Sequence, residues 1–265
     1  MSQVRAEGAV NWWGICQRPG NKLHSPSPVL IEFDDGTFEA VTALPKFITT
    51  VLREGRGISA LIYRQINTPP DAAAAAEKAV AVLESGSLRA NAVTNLAVEI
   101  RQWKHADPVI GVISAYLYDS IGDTESIRRI AYFYVTNDQP IPYDIALLAQ
   151  LKGTRQANGP ISVLVPPVSA RKPRTAKEKN HAWTYLATPE IEGEVGGLWP
   201  WMRQGWGYLD DLPDDDSTLI DPRLVKLIPG LTNARFSTLD SRGGRMLAKI
   251  FGVSTAGKMP SLDFP

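Results

Sequence analysis

Few side chains in this 265-residue chain could do covalent chemistry: one cysteine, Cys16, and three histidines, His24, His105 and His181. Cys16 and His24 are eight residues apart and read first as structural. The alternative is a hydrolase whose site is assembled from distant residues, with Cys16 and His24 as its candidates, and its base must then come within hydrogen-bond reach of the nucleophile. No histidine has a partner at metal-ligand spacing. No Gly-x-Ser-x-Gly elbow, Gly-x-Gly-x-x-Gly turn or Walker A loop occurs. Ser241-Arg242-Gly243-Gly244-Arg245 lacks the phosphate-loop lysine and lies inside a helical pattern, so its glycines predict close helix packing. The acidic run Asp210-Asp211-Leu212-Pro213-Asp214-Asp215-Asp216 lacks the glycine and terminal glutamate of a calcium loop and predicts a solvated loop. Glu190, Glu192 and Glu194 form no assignable acid–base pair. No catalytic residue, metal ligand or cofactor is therefore assigned.

A second kind of chemistry is recognition. Residues 196–211 read GGLWPWMRQGWGYLDD. Read as a helix over 198–209, Trp199, Met202, Trp206 and Leu209 fall on one stripe that predicts a buried face. Trp201 and Tyr208 fall on another face, with Arg203 beside them. Tryptophan, tyrosine and arginine dominate interface hot spots, so Trp201, Arg203 and Tyr208 are the expected partner-binding residues. The alternative is that these tryptophans are bulky spacers in a core.

Four regions must position these residues. Residues 1–67 predict an antiparallel β module. VLIEF and TFEAVTAL flank the hairpin signal Asp35-Gly36, and FITTVLR and ISALIYR follow Pro45. Residues 68–153 predict a layer of helical hairpins. Asp71 caps an alanine-rich run, and LRANAVTNLAVEIRQWKH carries apolar residues at helical spacing. Asp107-Pro108 and Asp123 cap the next two helices. Pro142 opens a shorter helix with Gly153 at its close. LYDSIGDTESIRRIAYFY, with a Gly-Asp turn between two amphipathic helices, resembles a tetratricopeptide-type hairpin. Residues 154–181 predict a polar basic linker with an extended ISVLV piece. Residues 182–265 predict a tryptophan-rich helical section whose last helix Thr232 can cap. The fold class is α+β.

Charge narrows the partners. Twenty-eight basic and 28 acidic side chains balance, which argues against broad capture of nucleic acid or an anionic membrane. Between 155 and 179, Arg155, Arg171, Lys172, Arg174, Lys177 and Lys179 face only Glu178. Residues 171–179 could thus contact nucleic acid, but no stacking aromatics interleave the charges before Trp183. A single cysteine excludes an intrachain disulfide. No signal-peptide core or apolar run of membrane-spanning length is present, so a cytoplasmic location is expected.

Three phrases carry a resemblance: VLIEFDDGTFEAVTALPKFITTVLREGRGISALIYR, HADPVIGVISAYLYDSIGDTESIRRIAYFYVTNDQPIPYDIALLAQL and WPWMRQGWGYLDD. They are similar to regions downstream of the peptidase domain in bacterial caspase-like proteins. The resemblance implies a non-catalytic appendage, a small β module followed by helical hairpins, in bacterial proteolytic or defence systems. It carries over no catalytic pair, because caspase-type peptidases place the histidine before the cysteine and Cys16 precedes every histidine here. The expected function is that of an accessory or scaffold protein that binds another protein.

Overall fold

The computed structural model describes residues 2–5, 11–14, 25–55, 57–65, 71, 74–75, 81, 90–155, 160–209, 219–253 and 255–259. Cys16, His24, most of the alanine-rich run and the acidic run 210–216 lie outside the described residues.

The N-terminal region pairs its strands by twos. β1 (Ser2–Arg5) pairs antiparallel with β2 (Asn11–Gly14). β3 (Ser27–Phe33) pairs antiparallel with β4 (Phe38–Ala43), the chain reversing through Gly36 at φ +80°. That left-handed conformation is what glycine supplies at low cost. β5 (Ile48–Glu54) and β6 (Gly57–Arg64) form a separate antiparallel ribbon.

A run of helices follows. α1 spans Ala90–Arg101, α2 Pro108–Asp119, α3 Thr124–Thr136 and α4 Tyr143–Leu148. The caps are those the sequence signals. Asp107 accepts from Val109 N at 3.0 Å with Pro108 in the first turn, and Asp123 accepts from Ser126 N at 3.1 Å. α2 is apolar almost all round and buried along nearly its whole length, as a helix at the centre of a layer must be. α4 ends at Leu148 rather than running on to Gly153. Gln150 turns the chain at φ +56°, and Gly153 lies in a strand.

The region expected as a linker is built into a sheet. β8 (Lys152–Arg155) and β9 (Ile161–Val165) are antiparallel, and Ile161, Val163 and Val165 point inward at every second residue. β10 (Ile191–Gly196) pairs antiparallel with β9 and parallel with β7 (Ile141–Pro142). The sheet order is β7-β10-β9-β8. The short helix α5 (Ala176–Lys179) and a 3-10 turn at Ala182–Thr184 lie between β9 and β10.

The last helix, α6 (Ser241–Phe251), starts later than a Thr232 cap implies. Asp240 is its cap, accepting from Gly243 N at 2.7 Å. A Cβ on Gly244 would lie 2.1 Å from the Phe38 ring, so α6 sits directly on β4. β11 (Thr238–Leu239) adds to β4 and β12 (Thr255–Met259) adds parallel to β3, giving the order β11-β4-β3-β12. Residues 27–43 thus share one sheet with strands from 238–239 and 255–259. One continuous apolar core joins that sheet, the helical layer and the tryptophan segment.

Candidate functional site

The tryptophan segment is not the α-helix expected over 198–209. It is an irregular loop leading into a 3-10 helix at Arg203–Leu209. Its backbone groups are committed to tertiary bonds that an α-helix would need for itself. Trp201 N and Met202 N donate to the Asp144 carboxylate at 2.6 and 3.1 Å. Ser237 N donates to Trp201 O at 3.0 Å, and Arg203 N to Arg235 O at 2.9 Å. Trp199, Met202, Trp206 and Leu209 are buried, as the stripe implies.

Trp201 corrects the second half of that reading. It is 2% exposed, its ring stacks on Tyr63 with centroids 5.0 Å apart, and its Nε1 donates to Gly196 O at 3.0 Å. A buried indole with its one donor satisfied offers a partner no surface, so Trp201 belongs to the core. Arg203 and Tyr208 do reach the surface. Arg203 Nε donates to Thr232 O at 2.8 Å. Tyr208 is 37% exposed and donates its hydroxyl to Asp119. The structure therefore separates the three expected contact residues.

Asp144 organises this segment. It is fully buried, and its Oδ1 also accepts the Tyr116 hydroxyl at 2.7 Å. Burial raises its carboxyl to about 6, against the hydrogen bonds that favour the charged form. All its oxygens serve chain donors, so its role is to hold the loop.

Two further candidates, His105 and the basic segment, make structural contacts. His105 Nδ1 lies 2.7 Å from Gln139 Oε1, and burial with the nearby Lys104 charge pushes the imidazole down to about 4. Within the basic segment, Arg171 grips Glu178 through two bonds at 2.7 and 2.8 Å, Arg174 binds Asp123 at 2.7 Å and Lys177 pairs with Glu99. The first pair braces the segment internally, and the other two dock it onto the start of α3 and onto α1. Among the described residues, no group of three His, Cys, Asp or Glu side chains could hold a metal ion. Nor is any helix there long and apolar enough to cross a membrane.

Among the described residues, large aliphatic side chains are exposed at Ile48, Leu52, Leu164 and Leu186, and the first two share one face. In the β5–β6 ribbon, Leu61 and Tyr63 face the core. On the opposite face Ile48 is 46% and Leu52 48% exposed, Ile48 across from exposed Arg64 and Leu52 across from half-buried Ala60, with half-buried Ile62 between those two partners. No described strand pairs with the other edge of β5. The strand is legible in the sequence, and its outward apolar face is not among the expected contact residues. The signal was there in ITTVL, where both alternating sets carry apolar residues, so one set had to be left outside. Close to the ribbon is a cavity of about 260 Å³ between Pro45–Phe47 and Val135–Pro140. The exposed ion pair Lys46–Asp138, 3.0 Å, stands at its rim. No family model matches this chain, and neither a curated protein nor a solved structure matches it.

Proposed function

We propose that this protein is a non-enzymatic accessory or scaffold module that recognises another protein, in the setting of bacterial caspase-like proteolytic or defence systems. The observation that carries the reading is the outer face of β5–β6. Its aliphatic side chains are in water, on a ribbon of only two strands whose β5 edge takes no described strand. An extended segment of a partner, alternating apolar residues, fits this surface by adding a strand to β5. Main-chain hydrogen bonds then supply affinity, and Ile48 and Leu52 supply side-chain selectivity. The successive helices α1, α2 and α3, with their short turns, support the tetratricopeptide-like reading of the layer behind the ribbon. Arg203 and Tyr208 form a second exposed position at which a partner can be held.

The test is capture of a partner from cells of the native organism with three baits: the intact chain, Ile48→Glu/Leu52→Glu, and Arg203→Ala/Tyr208→Ala. The reading expects one specific protein to be retained by the intact chain and lost by the folded ribbon variant. Loss confined to the Arg203/Tyr208 variant would move the contact to residues 203–209. Retention of nothing by the intact chain would reject recognition as the function.

A further inference from the structure

Arg101 ends α1 and Lys104 lies in the turn that follows it. Both are buried, at 0% and 4% exposure. Trp183, in the 3-10 turn after α5, covers them: Arg101 Cζ is 4.4 Å and Lys104 Nζ 5.3 Å from its ring. Lys104 Nζ is also 5.4 Å from the Phe133 ring. Arg101 Nη1 donates to the Tyr118 hydroxyl at 3.2 Å, while Nε and Nη2 have no acceptor. Those two donors point from one edge of the guanidinium, the fork that grips two oxygens of an oxyanion side-on.

The same fork is occupied elsewhere in this chain. Arg223 Nε and Nη2 hold the two oxygens of Asp221 at 2.8 and 2.6 Å. Around Arg101 the carboxylates are already engaged, Glu178 by Arg171 and Asp123 by Arg174. Burial and the Arg101 charge lower the Lys104 ammonium to about 7, and no carboxylate acts the other way. Among the described residues these two buried like charges have no counter-anion, and buried charges ordinarily have one.

We infer that Arg101 and Lys104 form a binding site for a phosphate-type dianion, the Arg101 Nε–Nη2 edge taking two oxygens and Lys104 Nζ a third. Charge selects the class. A phosphate monoester carries about −1.5 to −2 near neutral pH and matches two cations, whereas a single carboxylate leaves one unbalanced. Trp183 closes the site in this structure, so entry requires residues 176–184 to lift. On the outside that segment is tied by the surface pair Lys177–Glu99. The inference is independent of the β5–β6 surface.

The test is titration of the full chain with inorganic phosphate at pH 7, read by tryptophan fluorescence and by melting temperature, with acetate at equal ionic strength as control. The expected result is saturable binding of phosphate, a melting temperature that rises with its concentration, and no response to acetate. Lys104→Met and Arg101→Met each weaken phosphate binding at least tenfold. If Arg101→Met does not fold, Lys104→Met, checked by near-UV circular dichroism, decides alone. No response to phosphate, an equal response to acetate, or undiminished affinity in folded Lys104→Met would overturn the site.

Discussion

Asp144 Oδ2 accepts the backbone N–H of Trp201 at 2.6 Å across 57 residues of sequence. Through this bond and those to Met202 N and the Tyr116 hydroxyl, one carboxylate on α4 fixes the tryptophan segment against the helical layer. Asp144→Ala leaves three buried donors without an acceptor. Loss of roughly 3–5 kcal/mol of folding stability is expected, as for other broken buried charged networks. Asp144→Asn keeps one acceptor oxygen and loses less. Urea denaturation of the two variants measures both, and equal stability of wild type and Asp144→Ala would remove Asp144 from this role.

Trp201 and Tyr208 should part company under substitution. Trp201→Ala empties a fully packed site between Tyr63 and Gly196 and should cost about 3–5 kcal/mol. Tyr208→Ala removes an exposed ring and a surface hydrogen bond and should cost about 1 kcal/mol or less. Thermal melts of the single variants distinguish them, and similar losses at both positions would contradict the assignment of Trp201 to the core and Tyr208 to the surface.

Glu39, buried on β4, links pH to stability. Burial raises its carboxyl to about 8, while the Thr238 hydroxyl donates to it at 2.6 Å and pulls the other way. The unfolded chain releases this proton above about pH 4.3. The folded chain keeps it, so the contribution is full below that pH. It then declines by at most about 1.4 kcal/mol per pH unit until the group titrates in the folded state. Glu39→Gln cannot titrate, so its stability should fall less than that of the wild type between pH 5 and pH 8. Parallel pH profiles from urea denaturation would contradict the buried protonated state.

Local signals were legible in the sequence and non-local ones were not. Asp107-Pro108 and Asp123 announce helix starts because a cap bonds only to its own first turn. By contrast, nothing near VLIEF reveals that residues 255–259 will lie beside it, because parallel pairing leaves no mark in local spacing. The spacing of Trp199, Met202, Trp206 and Leu209 marks a buried stripe because all four are apolar and regularly spaced, and all four are buried. A 3.6-residue period puts Trp201 on the wrong face, because Asp144 holds this backbone irregular. Arg101 sits on an ordinary amphipathic helix, and nothing in its local spacing announces that Trp183, 82 residues on, lies over its guanidinium.

Gly244 sets how closely α6 approaches β4. Gly244→Ala would drive a methyl into the base of Phe38, a buried side chain that cannot swing aside. Overpacking of this kind costs about 1–3 kcal/mol. A lower urea midpoint with an unchanged denaturant slope is the expected readout, and an unaltered midpoint would show that the sheet yields at this contact.

The strand-addition account is tested most directly by hydrogen–deuterium exchange of the captured complex against the free chain. Addition of a partner strand should slow exchange of alternate backbone amides in β5, residues 48–54, while those of residues 203–209 keep their free-chain rates. Unchanged exchange throughout β5 in a saturated complex would contradict recognition at this edge.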